Sequence, residues 1–292
     1  MNTLKGSMTA LITPFRDDRI DDEAFVRLVE RQIDQGTHAL VPTGTTGEAA
    51  ALTDDEHEHV VRLCVETARG RIPVIAGAGS NVTASAIELS ARLAKTGIDG
   101  FLHVTGYYNR PNQDGLYAHY EALSAAFDLP IIVYNIPARC VVGLSIETLA
   151  RVSRLSNIVG VKDATGDLAR IPLQTLQCQE GFLQISGEDM TAVGFNAMGG
   201  VGCISVCSNV APELCAQMQE ASLDGDYSKA QVLQDRLAPL HDALFSDASP
   251  GPTKYALSLM GLCADDLRLP LTAPSNDAKA KVRAALEGLD LI

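Results

Sequence analysis

Eight short apolar runs recur along the chain: Met8–Ile12, Ala39–Pro42, Ile72–Ala76, Gly100–Val104, Ile131–Tyr134, Ile158–Val161, Phe182–Ile185 and Val201–Val206. Their starts lie 19 to 33 residues apart, the length of a strand, a loop and a crossover helix. The runs are apolar on both faces rather than alternating, as parallel strands covered by helices require. Between them lie amphipathic segments with recognisable start and stop signals. Asp21-Asp22-Glu23 opens one that carries Phe25, Leu28, Val29 and Ile33 and ends at Gly36. Thr53 and Glu56 have the capping-box spacing ahead of Val60, Val61, Leu63 and Cys64. A third begins at Asn81 or Thr83, carries Ile87, Leu89, Leu93 and Ala94, and stops at Gly97.

Eight strand–helix units predict an α/β fold of the (β/α)8 TIM-barrel type, because right-handed crossovers leave few other arrangements. The rival, an open doubly wound sheet, lacks support. No Gly-x-Gly-x-x-Gly follows the first run, and Gly77-Ala-Gly79 is too short for a dinucleotide site. After about Asp224 the strand pattern stops. Tyr227–Leu244, Gly251–Gly261 and Ala278–Leu289 read as helices, with Pro250, Pro270 and Pro274 in the connections. The expected division is therefore a barrel over 1–224 and an all-helical extension over 225–292.

Composition narrows the partners. Lys and Arg number 23 against 36 Asp and Glu, a formal charge of −13. That disfavours duplex nucleic acid and anionic lipid, which require a concentrated positive field. It leaves room for an anionic substrate held by a few local basic groups. No apolar run approaches the ~20 residues of a membrane span, and Met8–Ile12 is too short for a secretory leader. The seven cysteines are scattered without Cys-x-x-Cys spacing, so reduced thiols in a cytoplasmic protein are expected rather than disulfides or zinc. No metal or other cofactor is implied.

In a strand–helix barrel the working residues sit where strands end and loops begin. The second run ends in Pro42-Thr-Gly-Thr-Thr-Gly-Glu48, whose hydroxyls and backbone N–H groups can receive a carboxylate or oxyanion; the alternative is a flexible turn. The fifth ends in Tyr134-Asn-Ile-Pro137 with Arg139 beyond, and the sixth in Gly160-Val-Lys-Asp163. A Lys closing an apolar strand is unusual, since a desolvated ammonium gives way to the neutral amine, the nucleophile for a carbonyl. The alternative is an ion pair between Lys162 and Asp163 or a loop carboxylate. Ser186-Gly-Glu-Asp189 follows the seventh run. Gly199-Gly-Val-Gly202 lies at the eighth, where bare backbone would let a ligand approach. His57 and His59 are two apart on a helix and suggest a solvated face rather than metal ligands. Ser80, Ser186 and Ser205 lack a nucleophile-elbow context.

Taken in order, Gly44-Thr-Thr-Gly-Glu48, Tyr107-Tyr-Asn-Arg-Pro111, Tyr134-Asn-Ile-Pro137 with Arg139, Gly160-Val-Lys-Asp163 and Gly199-Gly-Val-Gly202 form a recognisable set. The whole chain resembles the dihydrodipicolinate synthase family of pyruvate-dependent class I aldolases and lyases. The resemblance implies a Schiff base between Lys162 and pyruvate. Its enamine would attack L-aspartate 4-semialdehyde to give 4-hydroxy-tetrahydrodipicolinate, the committed step towards diaminopimelate and lysine. It further implies that Tyr134 moves protons through Thr45 and the Tyr108 of a neighbouring subunit, with Thr46 holding the pyruvate carboxylate. Arg139 would receive the carboxylate of the semialdehyde, and the backbone of Gly187 and Ile204 would line the pocket. A homotetramer of two tight dimers is implied as well. Sugar-acid aldolases and dehydratases, including sialic-acid aldolases, share the Schiff-base chemistry. They form the second reading, disfavoured by Arg139, whose fork suits a carboxylated partner. A barrel that binds a keto acid without catalysis is the third, and the intact set Lys162, Tyr134, Thr45 and Arg139 argues against it.

Two departures from the family pattern stand out. Gly106 replaces the usual proline before the tyrosine pair, which loosens the loop carrying Tyr108. His57, Asn81 and Tyr107 match a lysine-binding regulatory site, but Ser85 stands where lysine-sensitive members often carry Glu. Weak or absent lysine inhibition is therefore expected. Glu48, Asp163 and Glu188 have no assigned task beyond loop hydrogen bonding.

Overall fold

The computed structural model describes residues 4–292. Eight parallel strands form one sheet: β1 (Gly6–Ala10), β2 (Ala39–Val41), β3 (Ile75–Gly77), β4 (Gly100–Val104), β5 (Ile131–Asn135), β6 (Ile158–Asp163), β7 (Leu183–Ser186) and β8 (Gly202–Ser205). Ladders run from β2 through β1 to β8 and down in order to β3. A parallel bridge between Leu40 and Val74 joins the two ends and closes the ring. Helices cover its outside: α1 (Asp22–Asp34), α2 (Asp54–Ala68), α3 (Thr83–Leu93), α4 (Gln113–Ala126), α5 (Ile146–Val152), α6 (Arg170–Gln177), α7 (Ala192–Ala197) and α8 (Pro212–Leu223). The (β/α)8 architecture is the one the apolar runs predict.

Local signals act where the sequence places them. The Asp21 side chain accepts from the Ala24 N–H to cap α1, and Thr53 and Glu56 make a reciprocal capping box on α2. Strand side chains alternate between two cores. Met8, Ala10, Val41, Ile75, Leu102, Ile132, Tyr134, Ile185 and Ile204 fill the barrel interior. Phe25, Leu40, Val61, Phe101, Tyr120 and Val133 belong to the layer between strands and helices. Each large apolar side chain removed from water contributes about 1.5–3 kcal/mol, so these two layers dominate the stability.

Three helices follow the barrel: α9 (Tyr227–Leu244), α10 (Gly251–Leu259) and α11 (Asn276–Gly288). They share one apolar cluster with the barrel, in which Leu237, Leu240, Leu257 and Leu286 pack with Ile12, Val193, Cys207 and Met218. The extension therefore continues the barrel's core.

One expectation is overturned. Gly199–Gly202 does not line a ligand site, because it enters β8 from the end opposite the barrel mouth. Gly202 pairs with Gly6, and a Cβ there would lie 2.3 Å from the Gly6 carbonyl oxygen. Bare backbone is needed for strand closure, not for substrate approach.

Candidate active site

Parallel pairing sets Tyr134 of β5 beside Lys162 of β6, and Asn135 beside Asp163. Period-two alternation sends successive side chains to opposite faces. Asp163 faces the helices, where its carboxylate accepts from Thr165 N–H (2.9 Å), Thr165 Oγ1 (2.6 Å), Arg170 Nε (3.2 Å) and Gln174 Nε2 (2.7 Å). The expected alternative for Lys162, an ion pair with Asp163, is thereby excluded. Lys162 is 6% exposed, and its amine nitrogen lies 4.2 Å from the centroid of the Tyr134 ring.

Space around that amine depends on Gly187, on the loop after β7. A Cβ at this position would lie 2.7 Å from Ala164 Cβ and 3.1 Å from Lys162 Cε. Glu188 follows, half-buried, and burial raises its carboxyl above the ordinary range. Asp189 is buried and accepts from the N–H groups of Val206 (2.9 Å) and Cys207 (3.0 Å), fixing the loop beyond Ile204. Both carboxylates flanking this part of the mouth are thus either shifted towards the neutral form or committed to backbone donors.

Across the mouth, the turn after β2 presents Thr45 exposed and Thr46 buried. Thr43 and Glu48 adopt left-handed backbone conformations, with φ of 52° and 54°. Gly77 of β3 lies so close beneath that a Cβ would meet the Thr43 carbonyl oxygen at 2.3 Å. The Gly77 carbonyl also accepts from Thr43 Oγ1 (3.1 Å) and contacts His57 Nε2 (2.7 Å). His57 is therefore buried and not part of a solvated helix face, and burial lowers its pKa. The solvated reading applies to His59, which pairs with Asp22 at 2.9 Å.

Arg139 stands exposed on the helical turn Pro137–Cys140 directly after β5. Arg151 and Arg170, further along the chain, are engaged by Asp114 and Asp163. Tyr108 projects from the loop after β4, 91% exposed and with φ of 68°. Within one chain it faces solvent, apart from Lys162 and Tyr134. Where a proline is usual, Gly106 packs against Pro111, and a Cβ would lie 2.9 Å from Pro111 Cγ. Half-buried Asn81 accepts at its carbonyl from Asn109 Nδ2 (2.9 Å), and Tyr107 and Ser85 are exposed beside it.

Sequence reasoning missed the partner of Glu48. Its Oε1 lies 2.5 Å from Lys254 Nζ, with both side chains essentially inaccessible, and its Oε2 accepts from the Arg268 N–H (3.2 Å). Removing one member of a buried pair of this kind costs about 3–5 kcal/mol, because a charge is left without compensation. No local pattern marks Lys254 as its partner.

The model of the dihydrodipicolinate synthetase family matches residues 3–289. A 4-hydroxy-tetrahydrodipicolinate synthase of Parvibaculum lavamentivorans is 59% identical over 288 residues, which cover 99% of each chain. One of Phenylobacterium zucineum is 56% identical and covers 99% of this chain and 98% of its own. Among solved structures, the dihydrodipicolinate synthase of Aquifex aeolicus superposes with a TM-score of 0.97 at 40% identity, covering 99% of both chains. That of Acinetobacter baumannii, complexed with pyruvate, also reaches 0.97 at 40% identity, over 99% of this chain and 100% of the other. With the family model spanning nearly its full length and relatives this similar, the chain belongs to the dihydrodipicolinate synthetase family.

Proposed function

We propose that Lys162 is the Schiff-base lysine through which this lyase condenses pyruvate with L-aspartate 4-semialdehyde to give 4-hydroxy-tetrahydrodipicolinate. The observation that carries the assignment is a strand-end amine, 6% exposed, set over the Tyr134 ring and separated from Asp163 by strand alternation. Attack of the neutral amine on the pyruvate C2 carbonyl and loss of water give the imine, whose protonated form withdraws electrons from C3. A C3 proton leaves, and the enamine forms a bond to the aldehyde carbon while its oxygen takes up a proton. The amino group of the former semialdehyde then adds to C2, and the Lys162 amine departs, closing the ring. Each step moves one proton, and Tyr134 stands beside the amine to accept and return it, assisted by Thr45 and by Tyr108 of a neighbouring subunit. Thr46 and the adjacent backbone hold the pyruvate carboxylate. Arg139 receives the semialdehyde carboxylate through two parallel N–H donors, while the Gly187 and Ile204 backbone shapes the pocket.

Incubation with pyruvate followed by borohydride converts the imine to a stable carboxyethyl-lysine, and intact-mass and peptide analysis should place it on Lys162. A protein that gains no such mass overturns the assignment. Turnover with the semialdehyde and not with sugar-derived aldehydes separates the synthase from a sugar-acid aldolase.

Tyr108, solvent-facing in one chain and held at positive φ, supports a tight dimer in which it completes the partner's site, and two such dimers give the tetramer. Among the described residues no helix is long and apolar enough to cross a membrane, which fits a place in the cytoplasm. His57, Asn81, Ser85 and Tyr107 would form a regulatory lysine site, one that lacks a carboxylate at Ser85. Lysine at sub-millimolar concentration should leave activity unchanged, and a clear inhibition curve in that range would contradict this.

A further inference from the structure

We propose that Glu48 and Lys254 are positioning residues for pyruvate binding: through them the helical extension holds the Thr45–Thr46 turn at the barrel mouth. The inference rests on the reading of Thr46 as the group that holds the pyruvate carboxylate.

The turn is short and conformationally costly. Thr43 and Glu48 both occupy the left-handed region, which side chains with a Cβ adopt only where their surroundings over-determine the backbone. Part of that determination comes from the barrel. Glu48 N–H donates to the Thr45 carbonyl (3.1 Å), Gly47 N–H to that of Gly44 (3.1 Å), and Thr13 Oγ1 to that of Gly47 (2.7 Å).

The rest comes from the far end of the chain. Glu48 turns its carboxylate away from the mouth towards α10. There Lys254 is 0% exposed, donates to the Asp266 carbonyl (2.8 Å) and lies 4.1 Å from the centroid of the Phe15 ring. Burial lowers the Lys254 pKa and the Glu48 carboxylate opposes that shift, so the two charges depend on one another. Arg268, on the connection between α10 and α11, donates its backbone N–H to Glu48 and its guanidinium to the Ala51 carbonyl (2.9 Å). The residue that ends the Thr45–Thr46 turn is thus clamped by two residues of the extension. Neither touches the proposed substrate position.

A pair serving only stability would give a different result from one that positions the turn. In Glu48→Gln/Lys254→Met no buried charge is left uncompensated, so the double variant is the one to make. The pyruvate concentration for half-maximal borohydride trapping, and the pyruvate KM, should both rise at least fivefold. Saturating pyruvate should still label Lys162. Both concentrations are read at a temperature at which circular dichroism shows the variant fully folded, because an unfolded fraction would itself raise the apparent constants. Wild-type values of both in the double variant would overturn the proposal. Should that variant yield no soluble protein, Glu48→Gln/Lys254→Leu, which likewise leaves no buried charge uncompensated, is read by the same two outcomes. Failure of the underlying Lys162 reading is seen separately, as absence of any adduct on the unaltered protein.

Discussion

At the scale of single residues, the site is made by separating groups that are neighbours in the chain. Lys162 and Asp163 are consecutive, yet the strand directs one into the barrel and gives the other to Arg170, Gln174 and Thr165. Had both faced inward, the amine would be tied up as half of an ion pair and its attack on a carbonyl impeded. The same logic resolves the charge problem. A chain of formal charge −13 must attract two carboxylated substrates, and on the proposed reading the disarming of local acids is what permits it. Asp163 and Asp189 are committed to donors, and burial shifts Glu188 towards its neutral form. Arg139 is left exposed on its short turn, with no ion pair among the described residues. Arg139→Ala should therefore keep pyruvate adduct formation on Lys162 and lose turnover with the semialdehyde by 10²-fold or more, about 2.7 kcal/mol. Loss of the adduct in that variant would place Arg139 on pyruvate instead. Lys162 was legible because an amine ends an apolar strand. Glu48 was not, because its partner lies far along the chain and only the fold brings Lys254 to it.

At the scale of elements, apolar runs revealed every barrel strand, since a strand covered on both faces has no other composition available. Edges were less legible. The run at Ile72 becomes a strand only at Ile75, and the third helix starts at Thr83 behind Val82, without a side-chain cap. Glycines were ambiguous for a physical reason: close approach of backbone to backbone and of backbone to ligand make the same demand on sequence. Gly187 leaves room beside Lys162 and Ala164, whereas Gly202 serves the β8–β1 seam. Polar residues inside elements also give a pH dependence. His103 of β4 is wholly buried, and burial lowers its pKa to about 3; His57, His119 and His241 are lowered for the same reason. A histidine depressed in the folded state binds its proton more readily when unfolded. Stability is thus full above the unfolded pKa near 6.5 and falls as pH drops towards the folded value. For His103 the loss approaches about 1.4 kcal/mol per pH unit between about pH 6.5 and the folded value. Thermal unfolding should show Tm falling between about pH 6.5 and 5. In His103→Leu the fall should be shallower, and an unchanged slope would show that His103 is not the group titrating.

At the scale of the whole molecule, the chain is a barrel whose last three helices share its core and reach its mouth, so the change of pattern near Asp224 marks a change of architecture within one packed body. On the proposed mechanism the proton path is incomplete in one chain, where Tyr108 is 91% exposed. If Tyr108 acts across a two-fold interface, each site combines Lys162 of one subunit with the tyrosine of the other. Tyr108→Phe and Lys162→Ala should then each be strongly impaired as pure proteins. Dissociating and reassociating an equal mixture puts half of the dimers in the mixed form. Each mixed dimer holds one site with both native groups, so about a quarter of wild-type activity should return. A tyrosine acting within its own chain predicts a different result, since the subunit that keeps Lys162 would still carry Phe at 108. Mixing would then restore nothing, whatever the oligomer, and the trans assignment of Tyr108 would fail.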